Sequence, residues 1–260
     1  RSFSREYLAT LLWPEHDQAR ALANLRRTLS HLRATVVDGC ISTVGDLVGI
    51  DPNRLSNDVA EFDRHVTQAA EGDTLPRLEA AIALYRGTFM EGFVLGDCEE
   101  FDQWQELVRG RLEAQLDRVL DAITRGYLDT YQPSQALPHA LLWVELDELD
   151  EAAQRALMET YARLGHKSAA LHQYAICVSR LRREDIDPDA ATRALRDQIA
   201  SGELGSRRKS AVVSASPRPI SDTPPLVHPK GVDEHGNRRF AGRSRQRWVF
   251  GLIALLAVAA

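Results

Sequence analysis

One stretch of this 260-residue chain concentrates side chains able to do chemistry, and it holds no acid. Residues 18–35 (QARALANLRRTLSHLRAT) carry four arginines, an asparagine, a serine and a histidine that share one pattern. Leu22, Leu25, Leu29, Leu32 and Val36 recur as the buried stripe of an amphipathic helix. At 100° per residue, the opposite face holds Arg20, Ala23, Asn24, Arg27, Ser30, His31 and Ala34, with Arg26 and Arg33 on the flank. Arg and Asn can pair with base edges in a major groove, and flanking guanidinium groups can hold phosphates. The small residues Ala23, Ser30 and Ala34 would let such a helix approach closely. The competing reading is a solvated basic face on an ordinary surface helix.

The elements that would position this face decide between the two. Residues 4–12 (SREYLATLL) place Tyr7, Leu8, Leu11 and Leu12 on one helical face, with Ser4 as N-cap and Pro14 as stop. After the basic helix, Ile41, Thr43 and Val44, then Leu47, Val48 and Ile50, flank Gly45-Asp46, which predicts a β-hairpin. Helix, turn, basic helix and hairpin in that order favour double-stranded DNA over the solvated face.

No other segment competes as a reactive centre. The sequence shows no P-loop, GxGxxG, HExxH or GxSxG. Cys40, Cys98 and Cys177 lack metal spacing and suggest a reducing compartment. The acidic ELDELDE at 145–151 lacks the glycine and spacing of a calcium loop and reads as a solvated turn. Trp104 and Trp143 read as core anchors. Neither enzyme chemistry, cofactor nor metal is expected.

Charge divides the chain. Residues 1–50 hold six basic and five acidic residues, residues 51–200 hold 16 and 28, and residues 201–260 hold 10 and 4. Such asymmetry suggests separate tasks along the chain. From residue 57 the periodicity predicts helices near 58–71, 75–87, 98–126, 134–146, 150–164, 167–183 and 188–201. Leu157, Tyr161, Gly165, Ala170 and Tyr174 fall at tetratricopeptide (TPR) spacing, with Pro188 about six residues later than that repeat places its proline. The fold class expected is mainly α, a TPR-like helical-hairpin solenoid at 57–201 preceded by a partial winged helix at 1–51. Residues 202–247, rich in Ser, Pro, Gly and charge, predict a disordered basic linker.

The run SREYLATLLWPEHDQARALANLRRTLSHLR resembles the second half of the OmpR-type winged helix of SARP-class transcriptional activators. Its hallmarks here are Leu8, Leu11, Leu12, Trp13 and Pro14, then Leu25, Arg26, Leu29, Leu32 and Arg33. Residues 58–201 resemble the bacterial transcriptional activator domain (BTAD), through Asp58, Phe62, Leu84, Tyr85, Arg86, Gly87, Phe101, Trp104 and Arg109 and the stretch ALMETYARLGHKSAALHQYAICVSRL. Glu148 stands where the family usually has proline in an LDPL turn, and Ile186 departs near the domain's end. The resemblance implies that residues 22–33 belong to a recognition helix. It implies that the helical domain contacts a partner protein or RNA polymerase, or dimerises. The alternative is a TPR-like signalling scaffold joined to a sensor or enzymatic region beyond this chain.

The C-terminal residues carry a different expectation. Residues 248–260 (WVFGLIALLAVAA) hold no charge and follow Arg238, Arg239, Arg243, Arg245 and Arg247. With Trp248 at the interface, this reads as the start of a transmembrane helix under the positive-inside rule, although 13 residues fall short of the roughly 20 a span needs. It predicts a regulator in the bacterial inner membrane with residues 1–247 in the cytoplasm. Both ends of the chain, starting at Arg1 and ending in the apolar run, read as cuts in a longer protein.

Overall fold

The computed structural model describes residues 2–35, 39–51, 53–55, 57–70, 74–95 and 98–206. Its N-terminal part runs β1 (Ser2–Ser4), α1 (Arg5–Leu12), α2 (Gln18–Thr35), β2 (Ile41–Val44) and β3 (Leu47–Ile50). Ser4 caps α1 as the spacing suggests, its hydroxyl accepting from the Tyr7 N–H at 3.1 Å. Asp17 does the same for α2, accepting from the Arg20 N–H at 2.9 Å. Leu25, Leu29 and Leu32 are buried and Leu22 is half-buried, while Val36 lies outside the described residues. Gly45 takes a positive φ of 60° at the first position of the two-residue turn, which allows β2 and β3 to pair.

Two details differ from the sequence reading. Tyr7 is 43 % exposed and stacks on Phe3 instead of entering the core. Residues 2–4 form a strand paired antiparallel with β3, giving a three-stranded sheet in the order β1-β3-β2. Three residues show no periodicity of their own, so only the partner strand reveals this one.

Eight helices follow among the described residues: α3 (Asp58–Ala69), α4 (Thr74–Ile82), α5 (Glu99–Asp129), α6 (Pro133–Leu146), α7 (Glu151–Arg163), α8 (Lys167–Arg183), α9 (Ala190–Ser201) and α10 (Glu203–Ser206). The expected helix over 75–87 stops at Ile82, because the N–H groups of Leu84 and Tyr85 bond to carbonyls three residues back and close a turn. Consecutive helices pack as hairpins, α3 with α4, α5 with α6 and α7 with α8. In the TPR-like pair, Gly165 adopts φ 85° and the His166 N–H returns to the Tyr161 carbonyl at 2.9 Å. Ala170 is fully buried, which lets α8 lie close to α7.

The acidic turn at 145–151 spends its carboxylates on structure. Asp150 caps α7, Asp147 accepts from the Leu149 N–H, and Glu148 pairs with Arg180 at 2.8 Å. Between α4, α5 and α6, Glu79 Oε1 accepts from the Tyr127 hydroxyl at 2.6 Å and lies 3.1 Å from His139 Nε2. The hydrogen bond to Glu79, followed by burial and the carboxylate's charge, pushes the Tyr127 phenol up to about 12. A raised folded-state value means this contribution is complete below pH 10 and is lost as pH rises through about 12. Tyr127→Phe is therefore expected to lower stability near neutrality by about 1 kcal/mol and to flatten the decline above pH 10. Urea midpoints measured across that range check this, and parallel declines in both proteins would refute it.

Three apolar cores hold the chain together. The first joins Leu8, Leu12, Leu25, Leu29 and Val48 to Leu95, Cys98 and Phe101. The second runs from Phe62 through Leu120, Ile123 and Trp143 to Leu157, and the third gathers Met158, Ala162, Ala170 and Ile199. The first core thus crosses from the N-terminal unit into the start of α5.

The expected inner-membrane localisation and membrane partner do not stand. Among the described residues, no helix is long and apolar enough to cross a membrane. Residues 248–260 prompted the expectation. Those residues, the linker and Arg238, Arg239, Arg243, Arg245, Arg247 and Trp248 lie outside the described residues.

Candidate nucleic-acid interface

Burial of the leucine stripe fixes what α2 shows to solvent. Arg20, Arg26, Arg27, Ser30, His31, Arg33 and Ala34 are exposed, and Ala23 and Asn24 are half-buried. All the residues expected on the basic face therefore lie on the uncovered side of one helix. Arg20 and Arg27 are seven residues apart, about 10.5 Å along the axis, and Arg26 and Arg33 repeat that spacing.

Among the described residues, the ion pairs leave these four guanidinium groups out. Arg26 Nε donates to the Leu22 carbonyl at 3.4 Å, and Arg33 Nη2 donates to Thr43 Oγ1 at 3.4 Å. Several arginines elsewhere are paired with acids, as Arg155 is with Asp189 at 2.7 Å and Arg163 with Glu159 at 2.5 Å. Arg77, Arg86, Arg118, Arg182, Arg183 and Arg193, like the four on α2, enter no ion pair among the described residues. Among the described residues, no ion pair compensates the positive charge on α2.

The hairpin stands beside this face. The Arg33–Thr43 contact ties β2 to the C-terminal half of α2. At the turn, the Asp46 carbonyl accepts from the Arg5 N–H at 3.1 Å, and the two side chains approach to 3.9 Å. Val44 is 75 % exposed at the tip. Thr43 is the contact the sequence reading missed. It looks like any β-former until the register places it opposite Val48 and within reach of Arg33.

The N-terminal unit is completed from the helical region. Phe101 is fully buried in the first core, 5.9 Å from Phe93 and 5.3 Å from Trp104 between ring centroids. The Cys98 thiol donates to the Leu11 carbonyl at 3.1 Å, and burial pushes that thiol up, away from reactive thiolate. The basic helix and the start of α5 therefore share one folded unit.

The comparisons with known proteins agree with this architecture. The family described as bacterial transcriptional activator domain matches residues 50–200, and the chain belongs to it. The resemblance to the bacterial transcriptional activator domain is borne out. The solved structure titled Mycobacterium tuberculosis EmbR in complex with low affinity phosphopeptide shares the fold at a TM-score of 0.56 and 22 % identity. That match covers 81 % of this chain and 59 % of the other, so the chain spans about three-fifths of the EmbR chain's length. No curated protein matches the chain.

Proposed function

We propose that this chain is a DNA-binding transcriptional regulator that places α2 in the major groove of duplex DNA. In this reading β1–β3 with α1 and α2 are the C-terminal part of a winged helix, and the β2–β3 hairpin is its wing. Helices α3–α9 are the TPR-like activation and interaction domain, which contacts a partner protein or RNA polymerase. Arg20, Asn24, Arg27, Ser30 and His31 face the bases, and Arg26 and Arg33 hold the backbone.

The observation that carries the reading is the exposed face of α2 beside the hairpin, with four arginines outside every ion pair among the described residues. A major groove about 12 Å wide admits a helix 10–12 Å across. The excess of 28 acids over 16 basic residues at 51–200 keeps the helical domain off the phosphates and leaves docking to α2.

Equilibrium binding of the full chain to duplex DNA over a range of salt tests the proposal. Each neutralised phosphate contributes a slope of about −0.9 to log K against log salt. Two to four phosphate contacts therefore give a slope of about −2 to −4. A slope of zero, or no binding at low salt, would leave the scaffold reading in its place.

A further inference from the structure

A second surface lies on the helical domain. A groove of about 890 Å³ opens between the N-terminus of α3, the loop after α4, the middle of α5 and the end of α6. Its floor is apolar and aromatic, with Phe62, Leu116 and Trp143 buried, and Tyr85 and Phe89 are half-buried along its sides. The Trp143 indole N–H donates to Asp117 Oδ1 at 2.5 Å, which fixes the floor ring.

The groove's charge is lopsided. Asp58, Glu91, Glu113, Asp117 and Asp147 line it, against Arg86 and Arg109, and Arg109 is held by Glu106 at 2.6 Å. Glu91 and Glu113 are exposed and enter no ion pair among the described residues. The field reaches the aromatic wall: burial raises the Tyr85 phenol, and the charges of Glu113, Glu145 and Glu91 raise it further.

We propose that this groove is a docking site for a peptide segment of a partner protein that carries arginines and aromatic side chains. Guanidinium groups satisfy both halves of the site, since they pair with carboxylates and stack on aromatic faces. An acidic or phosphorylated segment would meet like charge here. The site sits on the activator domain and does not depend on α2 reading DNA.

A labelled peptide of alternating arginine and tryptophan, and its glutamine–tryptophan counterpart, are titrated onto the full chain by fluorescence anisotropy. The arginine peptide is expected to bind about tenfold more tightly, and E91Q/E113Q to remove most of that advantage. Both replaced carboxylates are exposed, so the fold persists, and DNA affinity stays unchanged. E99Q/D129N removes the same charge outside the groove and is expected to leave peptide binding intact. Equal binding of the two peptides, or equal loss in both double variants, overturns the proposal. So does absent binding in the wild-type chain. If binding then appears once the arginines at 238, 239, 243, 245 and 247 are replaced by glutamine, the chain's own basic segment is the occupant and the partner is not.

Discussion

Replacing Arg20 and Arg27 together by alanine is expected to abolish duplex binding under conditions where the wild-type chain binds. Both side chains are exposed on the open face of α2, two helical turns apart and outside every ion pair among the described residues. A good arginine contact to a base contributes about 1–3 kcal/mol. Losing two therefore costs about 2–6 kcal/mol, or roughly 30-fold to 10⁴-fold in affinity. Stability should stay within about 0.5 kcal/mol, because neither side chain packs in a core. The salt slope separates the roles: it falls by about 2 if both arginines meet phosphates, and holds while sequence preference relaxes if they meet base edges. Unchanged affinity would remove α2 from the interface and favour the scaffold reading.

A second large effect is expected far from that face in sequence. Phe101 belongs to the region matched by the activator-domain family, yet its fully buried ring packs among Leu8, Leu12, Leu25 and Leu29. Phe101→Ala should cost about 3–5 kcal/mol, a large share of the roughly 5–15 kcal/mol that holds a domain folded. The damage should be uneven. Amides of α1, α2 and β3 should lose hydrogen-exchange protection and DNA binding should fall. Amides of α7 and α8, which rest on the second and third cores, should keep theirs. Uniform loss of protection, or unchanged exchange in α1 and α2, would contradict a core shared across the two regions.

That sharing also shows where the sequence was legible. The leucine stripe of α2 and the TPR-like spacing around Gly165 have a period, and burial follows it at Leu25, Leu29, Leu32, Leu157 and Ala170. The family resemblance rested on the same positions. Tyr7 shares the period of Leu8 and Leu11 but stays exposed, because periodicity marks a face and not how far the packing reaches around it. β1 is three residues long and exists through its pairing with β3. The stretch between α4 and α5 follows neither the helical nor the strand period. Its Leu95 and Cys98 are buried in the core with α1 and α2, and Cys98 bonds to Leu11, 87 residues earlier, so no local signal could reveal them. The groove was hidden for the same reason. Phe62, Tyr85, Glu113 and Trp143 come from separate elements and form no motif along the chain. The membrane expectation was drawn from residues 248–260, which lie outside the described residues, and among those described no helix is long and apolar enough to cross a membrane.

The central claim, that the exposed face of α2 lies against DNA, can be tested by cleaving DNA from the protein. Cys40, Cys98 and Cys177 are all buried, so a single cysteine placed at exposed Ser30 can carry an iron–EDTA group selectively. A second conjugate through Ser179→Cys, exposed on α8, is the control. Both are mixed with a duplex several helical turns long at low salt. Cleavage from the Ser30→Cys conjugate with little from the Ser179→Cys conjugate is the predicted result. No cleavage from Ser30→Cys, or equal cleavage from both positions, would contradict it.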